Sequence, residues 1–538
     1  MQMDNNINSK FGVKQTSINM ISQIISFAIN LAISFFLTPF IIAKLGQEAY
    51  GFVGLSANFI SYATLITTAI NSMAGRFIAI AYYKDKKDDV VKYYSSVIIA
   101  NVIFCLLLSI PALFIILFLP SLLNIPIHLV QDVTALFILV FSHFFVDLIG
   151  NTFVNAGYVV NRLDIVAMRK TEAILLKGVL SFAIFILLIP RLWFIGFIQL
   201  VCSAYNFFRN YQIFKKLMPG IRLSINKFDI RKIGELLSSG IWNTVSSAGS
   251  VIITGLDLLI VNVTFKAPLG MTAEEIAAAA AFATGIVSTA KQIPIYMQSL
   301  IVTIANVFAP KQTKLYAEQN YVGMKQTLIY SSKIVAIITA IPVVFMLVYG
   351  KNFFRLWVPT QDYNLLWIIS SAAIILYPIQ LVTSPFTAVV TAANKVRLNS
   401  LVTLGFAFAG LGTMFGLLYF VDDNTARKMI IVGTSMVFLT LQSLTFLIPY
   451  CAKIIKSRVM DFYVVIIKSV LLVTLAYVTC YGISLVFKAN GWITLIASGI
   501  IVCIICIAIA MIIVLNKNDR SQVFGAVRKI TNKIFKRK

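Results

Sequence analysis

Residues 17–42, SINMISQIISFAINLAISFFLTPFII, are apolar almost throughout but carry a small polar side chain at every fourth position. These positions are Ser22, Ser26, Asn30, Ser34 and Thr38. An apolar run of about 20 residues is long enough for an α-helix to cross a bilayer of roughly 30 Å. Residues four apart lie on one helix face, and an unpaired polar group in hydrocarbon is costly. The stretch therefore predicts a membrane helix with one face turned away from lipid.

The rest of the chain repeats this composition. Of its 538 residues, 59% are hydrophobic, and the mean hydropathy is +0.89. The apolar runs predict about fourteen membrane helices and hence an all-α polytopic membrane protein. These predicted helices, numbered 1 to 14 in chain order, cover residues 17–42, 51–80, 94–119, 133–160, 171–189, 192–213, 238–264, 277–309, 327–349, 364–392, 398–421, 429–450, 460–486 and 491–515.

The net charge of +25 raises the possibility of a nucleic-acid partner. No basic segment has the aromatic interleaving that such a partner needs, so none is predicted. Instead, the basic residues concentrate in alternate loops, with a bias of about four to one, which places both termini in the cytoplasm by the positive-inside rule. We expect a multi-pass membrane protein in contact with membrane lipids. The six cysteines fall in or at the edge of predicted helices, so no disulfide, metal or cofactor is predicted.

Two halves of the chain echo each other. The matching pairs are Tyr94-Ser95-Ser96 with Tyr330-Ser331-Ser332, Ile110-Pro111 with Ile341-Pro342, and Asn161-Arg162 with Asn394-Lys395. They predict a parallel duplication with a site between the halves. The predicted parts are an N-terminal lobe of helices 1–6 (1–214), a cytoplasmic amphipathic linker (215–237), a C-terminal lobe of helices 7–12 (238–452), helices 13 and 14 (453–516) and a basic cytoplasmic tail (517–538). The tail fits a lipid-binding helix and a disordered segment equally well.

Predicted helices 2, 7 and 8 carry polar rows like that of helix 1. The rows are Ser61, Thr64, Thr68, Asn71 and Ser72 in helix 2; Asn243, Ser246, Ser250 and Thr254 in helix 7; and Thr284, Ser288, Gln292, Ser299 and Thr303 in helix 8. Small polar residues also hold membrane helices together. Because matched rows occur in the leading helices of both halves, a cavity lining is favoured. Asn30, Ser34, Asn71 and Gln292 are the uncharged candidates for substrate binding.

Buried cations indicate the charge of the substrate. Lys291 lies roughly 21 Å along helix 8, far from either end, and an intramembrane lysine is a functional candidate by default. Arg76 and Lys177 are further candidates, although both could reach the membrane surface. Because cations outnumber acids in the predicted lining, an anionic group such as a phosphate is the expected ligand.

Predicted helix 4 carries His143, Asp147, Asn151 and Asn155 at successive four-residue steps. A histidine one turn from an aspartate can exchange a proton or share a cation, as coupling to a proton or sodium gradient requires. The alternative is an internal ion pair that neutralises a buried lysine. Asp257 in helix 7 has the same two interpretations.

Two motifs add a resemblance to a known family. Thr38-Pro39-Phe40-Ile41-Ile42 with Lys44-Leu45-Gly46, Glu48-Ala49-Tyr50-Gly51 and Arg76 resembles the start of bacterial polysaccharide flippases of the multidrug/oligosaccharidyl-lipid/polysaccharide (MOP) superfamily, to which the MATE transporters belong. Tyr349-Gly350-Lys351-Asn352-Phe353 with Leu356-Trp357 is similar to a later motif of these proteins.

The resemblance implies two six-helix lobes in a V around a central cavity, with two extra C-terminal helices here. It implies that an undecaprenyl-diphosphate-linked oligosaccharide, such as an O-antigen, capsule or exopolysaccharide repeat unit, is moved across the cytoplasmic membrane by alternating access. Polysaccharide polymerase and assembly proteins would then be partners. Arg76 and Lys291 would neutralise the diphosphate.

Three other functions are alternatives. The first is a lipid II flippase, because a count of fourteen helices resembles that branch of the same superfamily. The second is a cation-coupled multidrug antiporter, which would need an acidic lining; Lys291 argues against this function. An integral-membrane polysaccharide polymerase would need a large outer loop or a histidine with catalytic partners, whereas the chain contains only His128 and His143. We therefore expect a transporter rather than an enzyme.

Overall fold

A computed structural model describes residues 13–268, 270–516 and 520, and within these residues all regular structure is helical. The main helices are α1 (Val13–Leu45), α2 (Gln47–Tyr83), α3 (Lys87–Leu117), α4 (Val130–Gly150), α5 (Leu163–Leu187), α6 (Trp193–Leu217), α7 (Ile230–Thr254), α8 (Ala273–Asn306), α9 (Tyr321–Trp357), α10 (Tyr363–Ile374), α11 (Val396–Phe420), α12 (Asn424–Gln442), α13 (Met460–Val486) and α14 (Trp492–Ile513). Each predicted helix corresponds to one of them, in the same order.

Several helices continue beyond a local break. The continuations are Asn151–Val154 and Asn155–Val159 after α4, Asp257–Val263 after α7, Ala309–Ala317 after α8, Tyr377–Gln380, Leu381–Thr383 and Ser384–Ala392 after α10, and Ser443–Leu447 and Ile448–Ile454 after α12. Short helical turns occur at Leu119–Leu122, Ile127–Leu129 and Ile225–Lys227. The basic tail predicted at 517–538 lies outside the described residues, apart from Arg520.

In the described part of the chain, eleven helices are long and apolar enough to cross a membrane, or twelve if α7 and its continuation form one span. Helices α5 and α6, of 25 residues each, are not among them. The charged residues of α5, including Glu172 and Lys177, explain its lower apolarity. The all-α polytopic membrane fold is thus confirmed, while the count of fourteen crossings and the cytoplasmic termini stay predictions.

The chain packs into two compact units, residues 1–288 and 289–538, which divide within α8. The lobe boundaries expected from sequence stay a prediction. The second part of the predicted amphipathic linker, Ile230 to Leu237, forms the first turns of α7. The preceding segment is held to α3, where the Ser95 and Ser96 hydroxyls accept hydrogen bonds from the backbone N–H groups of Ser224 and Asp229, at 3.2 and 2.9 Å.

In the first unit, α7 lies directly against α2. A Cβ atom on Gly240 would stand 1.8 Å from the Ala69 carbonyl oxygen, so the two backbones approach as closely as only glycine permits. Asn243 donates a hydrogen bond of 3.2 Å to the Ser72 hydroxyl one turn further along. Part of the polar row of α7 therefore joins two helices.

Gly255 follows the last residue of α7, and the continuation from Asp257 is bent by 41° relative to the helix. The Tyr62 hydroxyl of α2 donates a 2.6 Å hydrogen bond to the Gly255 carbonyl. A bent membrane helix is tolerated where neighbouring side chains satisfy its backbone groups, and Tyr62 does so here.

The two units share local geometry at corresponding places. Left-handed residues connect the second and third helices of each half, at Asp85 (φ 54°) and Gln319 (φ 54°). Others connect the fourth and fifth, at Asn161 (φ 56°) and Asn394 (φ 52°). Asparagine is among the non-glycine residues that best tolerate this region. The paired Asn161-Arg162 and Asn394-Lys395 motifs thus mark the same turn, which supports a duplication.

Candidate functional site

A polar cavity of about 440 Å³ lies between α2 and α4 in the first unit. It is the place where the polar rows of predicted helices 2 and 4 meet. Its lining residues are Ile60, Thr64, Thr67, Thr68, Asn71 and Ser72 from α2, and His143, Phe144, Asp147, Leu148, Asn151 and Asn155 from α4 and its continuation.

The spacing of the lining residues explains why they share the cavity. His143, Asp147 and Asn151 lie one turn apart, so α4 presents them in a row. The helix changes to a tighter 3₁₀ turn at Asn151–Val154. Asn155 follows that turn, and its amide donates 3.0 Å to the Thr152 carbonyl.

The threonine hydroxyls of α2 donate to their own helix. Thr64 Oγ1 donates to the Ile60 carbonyl and Thr68 Oγ1 to the Thr64 carbonyl, both at 2.8 Å. Each hydroxyl keeps acceptor capacity, since its donor is used and its oxygen has two lone pairs. This wall of the cavity therefore offers acceptors to a ligand.

Asn71 is held in place from behind by Asn101 of α3. The two side-chain amides bond reciprocally, each nitrogen 3.0 Å from the other's oxygen. The Asn101 nitrogen also lies 3.0 Å from Thr152 Oγ1 and 3.2 Å from the Leu148 carbonyl. Asn101 is fully buried, so this network ties α2, α3 and α4 together beneath the cavity.

His143 and Asp147 form the ionisable part of the site. His143 Nδ1 is hydrogen-bonded to the Ser203 hydroxyl of α6. Its Nε2 lies 3.9 Å from Asp147 Oδ2, beyond hydrogen-bond distance. Within the described residues, the Asp147 carboxylate therefore accepts no side-chain hydrogen bond and remains open to the cavity. Lys177 of α5 is close enough to His143 to interact with it electrostatically.

Three of the predicted site residues, Asn71, His143 and Asp147, thus come together. Arg76 is exposed on α2, one turn beyond Ser72. The remaining candidates are not among the lining residues: Asn30 and Ser34 are half-buried on α1, Asp257 is buried at the start of the continuation of α7, and Lys291 and Gln292 are half-buried on α8 in the second unit.

Sequence reasoning missed Asn101 and Ser203. Asn101 is a single polar residue within an otherwise apolar stretch, and Ser203 belongs to a short polar segment with Gln199 and Asn206. Asn101 could have been singled out because an amide in the middle of an apolar membrane segment needs partners. Nothing in the sequence indicates that Ser203 faces His143, because that contact depends on the packing of α4 on α6.

The second unit contains a different cavity, of about 480 Å³. Its lining is mostly apolar and comes from α9, from α10 with its continuation, and from α13, with Leu347, Trp367, Ile375, Ile379, Val473 and Tyr477 among its residues. None of the predicted site residues lines it.

Comparison with known proteins places this fold. No protein-family model matches the chain. It is 25% identical over 515 residues to the uncharacterized membrane protein EpsK of Bacillus subtilis (strain 168), a match covering 95% of this chain and 98% of EpsK.

Several solved structures are similar to the chain at low sequence identity. The lipid II flippase MurJ, in an inward closed conformation, matches with a TM-score of 0.61 and 16% identity, over 93% of this chain and 98% of MurJ. An outward-facing multidrug resistance MATE family transporter of the MOP superfamily matches with a TM-score of 0.60 and 13% identity, over 83% and 98%. A MOP superfamily transporter from Pyrococcus furiosus matches with a TM-score of 0.58 and 15% identity, over 84% and 99%. The chain is a multi-pass membrane protein with the fold of MOP superfamily transporters.

Proposed function

We propose that the protein is a flippase that moves an undecaprenyl-diphosphate-linked oligosaccharide across the bacterial cytoplasmic membrane by alternating access. The observation that carries the proposal is the polar cavity between α2 and α4, because it lies among membrane helices of a transporter fold. Polar side chains are costly within a membrane, so we expect a cavity lined by amides and hydroxyls only where it binds a polar ligand.

The comparisons support a flippase over a drug transporter in one respect. The similarity to MurJ covers 93% of this chain, whereas the similarity to the MATE transporters covers 81–84%. MurJ is a lipid II flippase by name, and this chain would share the handling of a lipid-linked sugar. The oligosaccharide unit of O-antigen, capsule or exopolysaccharide is the proposed cargo.

In this proposal, Arg76 and Lys291 neutralise the diphosphate, and the prenyl chain stays in lipid. Lys291 sits in the middle of α8, where a charged group is expensive and is kept for a function. His143, Asp147 and Asp257 are proposed to couple transport to a proton or sodium gradient.

The test is transbilayer movement of undecaprenyl-diphosphate-linked saccharides in proteoliposomes. We expect wild type to move them, Lys291→Ala to lose movement at matched incorporation, and Lys468→Ala to behave as wild type. Lys468 is the matched control because it is also a lysine within a membrane helix, α13. Movement of no saccharide lipid, together with sodium- or proton-driven efflux of cationic drugs, would replace the flippase with a multidrug antiporter. Undiminished movement by Lys291→Ala would remove that lysine from the substrate site.

A further inference from the structure

We infer that the cavity between α2 and α4 binds a sugar ring of the cargo, and that the diphosphate is bound elsewhere. This inference rests on the proposed function and assigns one part of the cargo to one part of the protein. Three properties of the cavity lead to it: its charge, its hydrogen-bonding capacity and its shape.

The charge of the lining does not suit a phosphate. Among the lining residues Asp147 is the one carboxylate, and none is a lysine or arginine. A diphosphate placed here would face Asp147 with no lysine or arginine in the lining, since Lys177 approaches His143 from α5 without lining the cavity, and an anion beside a carboxylate is disfavoured. The arginine next along α2, Arg76, lies one turn beyond Ser72 and outside the cavity. A neutral ligand is therefore expected.

The hydrogen-bonding capacity suits a ligand with several hydroxyl groups. Thr64 and Thr68 offer acceptors because their own protons are used within α2. The Asp147 carboxylate offers two further acceptor oxygens. Asn151, exposed to the cavity and without a side-chain hydrogen bond to the described residues, supplies both a donor and an acceptor. Sugar hydroxyls can donate hydrogen bonds to Thr64, Thr68 and Asp147. They can both donate to and accept from Asn151.

The shape and size fit a ring with one polar edge and one apolar face. Ile60, Phe144 and Leu148 form an apolar side of the cavity, against which the C–H face of a sugar can pack. The volume of about 440 Å³ equals about fifteen water molecules at ~30 Å³ each and falls within the usual range of small-molecule sites. A bare cation on Asp147 would leave most of this space to water.

The wall is also fixed before a ligand arrives. Asn71 is bonded to Asn101 and to the Thr67 carbonyl, and Asn101 is bonded to α4. A wall that is already ordered spares part of the entropy cost of binding. Asn101 is thus a positioning residue for this subsite.

The first experiment asks which class of ligand occupies the cavity. The variant Thr64→Cys, in a background with the six native cysteines replaced by alanine, is reconstituted and its alkylation by N-ethylmaleimide is followed by mass spectrometry. The probes are the methyl glycosides of glucose, galactose and N-acetylglucosamine, potassium diphosphate, and sodium chloride. We expect at least one glycoside to slow alkylation several-fold and diphosphate to have no effect. Protection by diphosphate, or no protection by any glycoside, would overturn the sugar subsite; sodium chloride measures the effect of the coupling ion proposed for Asp147, which is subtracted from that of each probe.

The second experiment uses transport. The double variant Thr64→Val/Thr68→Val keeps side-chain shape and removes two hydroxyl acceptors. We expect movement of an undecaprenyl-diphosphate-linked N-acetylglucosamine to fall about tenfold, since about 1.4 kcal/mol corresponds to a factor of ten and two lost hydrogen bonds are of this order. Thr134→Val is the matched control, because Thr134 also bonds its own helix but lies outside the cavity. Equal rates in the double variant and the control, with wild type active, would refute the subsite alone. An inactive wild type that still shows glycoside protection would refute the proposed cargo but not the sugar site.

Discussion

Replacing Asn101 by leucine tests whether the amide network beneath the cavity holds the first unit together. Leucine has a similar size but cannot form hydrogen bonds. The substitution removes the reciprocal pair with Asn71 and the contacts of the Asn101 nitrogen with Thr152 Oγ1 and the Leu148 carbonyl, all at 3.0–3.2 Å. Because the amide has two protons to share among three acceptors, these contacts amount to three hydrogen bonds. At about 0.6 kcal/mol for a hydrogen bond between membrane helices, the loss is about 2 kcal/mol.

The assay is equilibrium unfolding in mixed detergent micelles. We expect Asn101→Leu to lower the free energy of unfolding by about 2 kcal/mol. Asn58→Leu is the matched control, because the side-chain nitrogen of Asn58 is buried on α2 and has no hydrogen-bond partner among the described residues. Removing an amide without a partner is expected to leave stability unchanged or to raise it.

A double-mutant cycle with Asn71→Leu isolates the reciprocal pair. Its two hydrogen bonds predict a coupling free energy of about 1 kcal/mol. Strict additivity of the two substitutions would show that the amides do not interact. A loss in Asn101→Leu no larger than that in Asn58→Leu would refute the role of the network in stability.

Two glycines give further predictions. Gly240→Ala is expected to lower stability by about 1–3 kcal/mol through overpacking against Ala69, because the added Cβ would lie 1.8 Å from a carbonyl oxygen. The control is Gly234→Ala, which lies on the same helix with open space around it and should raise stability by up to about 1 kcal/mol. If both substitutions shifted the melting temperature in the same direction, the close approach of α7 to α2 would be contradicted. Gly75→Ala would place a Cβ 2.8 Å from Asn155 Oδ1, so we expect that side chain to shift and saccharide-lipid movement to slow at unchanged melting temperature. An unchanged rate would mean that Asn155 does not contact the cargo.

The order and approximate positions of the helices could be predicted from the sequence, although α3, α5 and α7 begin seven or eight residues earlier than predicted. Apolar runs of membrane-spanning length leave little choice, because every backbone polar group in a bilayer must be satisfied within a helix. The structure also joins part of the predicted linker to α7. Residues 230–237 form one continuous helix with the rest of α7. The sequence has no feature that shows whether two adjoining helical segments are separate or continuous.

The sequence by itself determined which helix faces are polar, since spacing by four residues places Thr64 and Thr68, or His143 and Asp147, on one side of a helix. It could not decide which polar faces meet. Tertiary packing brought the row of α2 against that of α4 to form a cavity, but used part of the row of α7 for a contact with Ser72. The physical reason is that the same hydroxyls and amides can either join helices or line a cavity. Which of the two occurs depends on the distance between the helix backbones, which is short at Gly240.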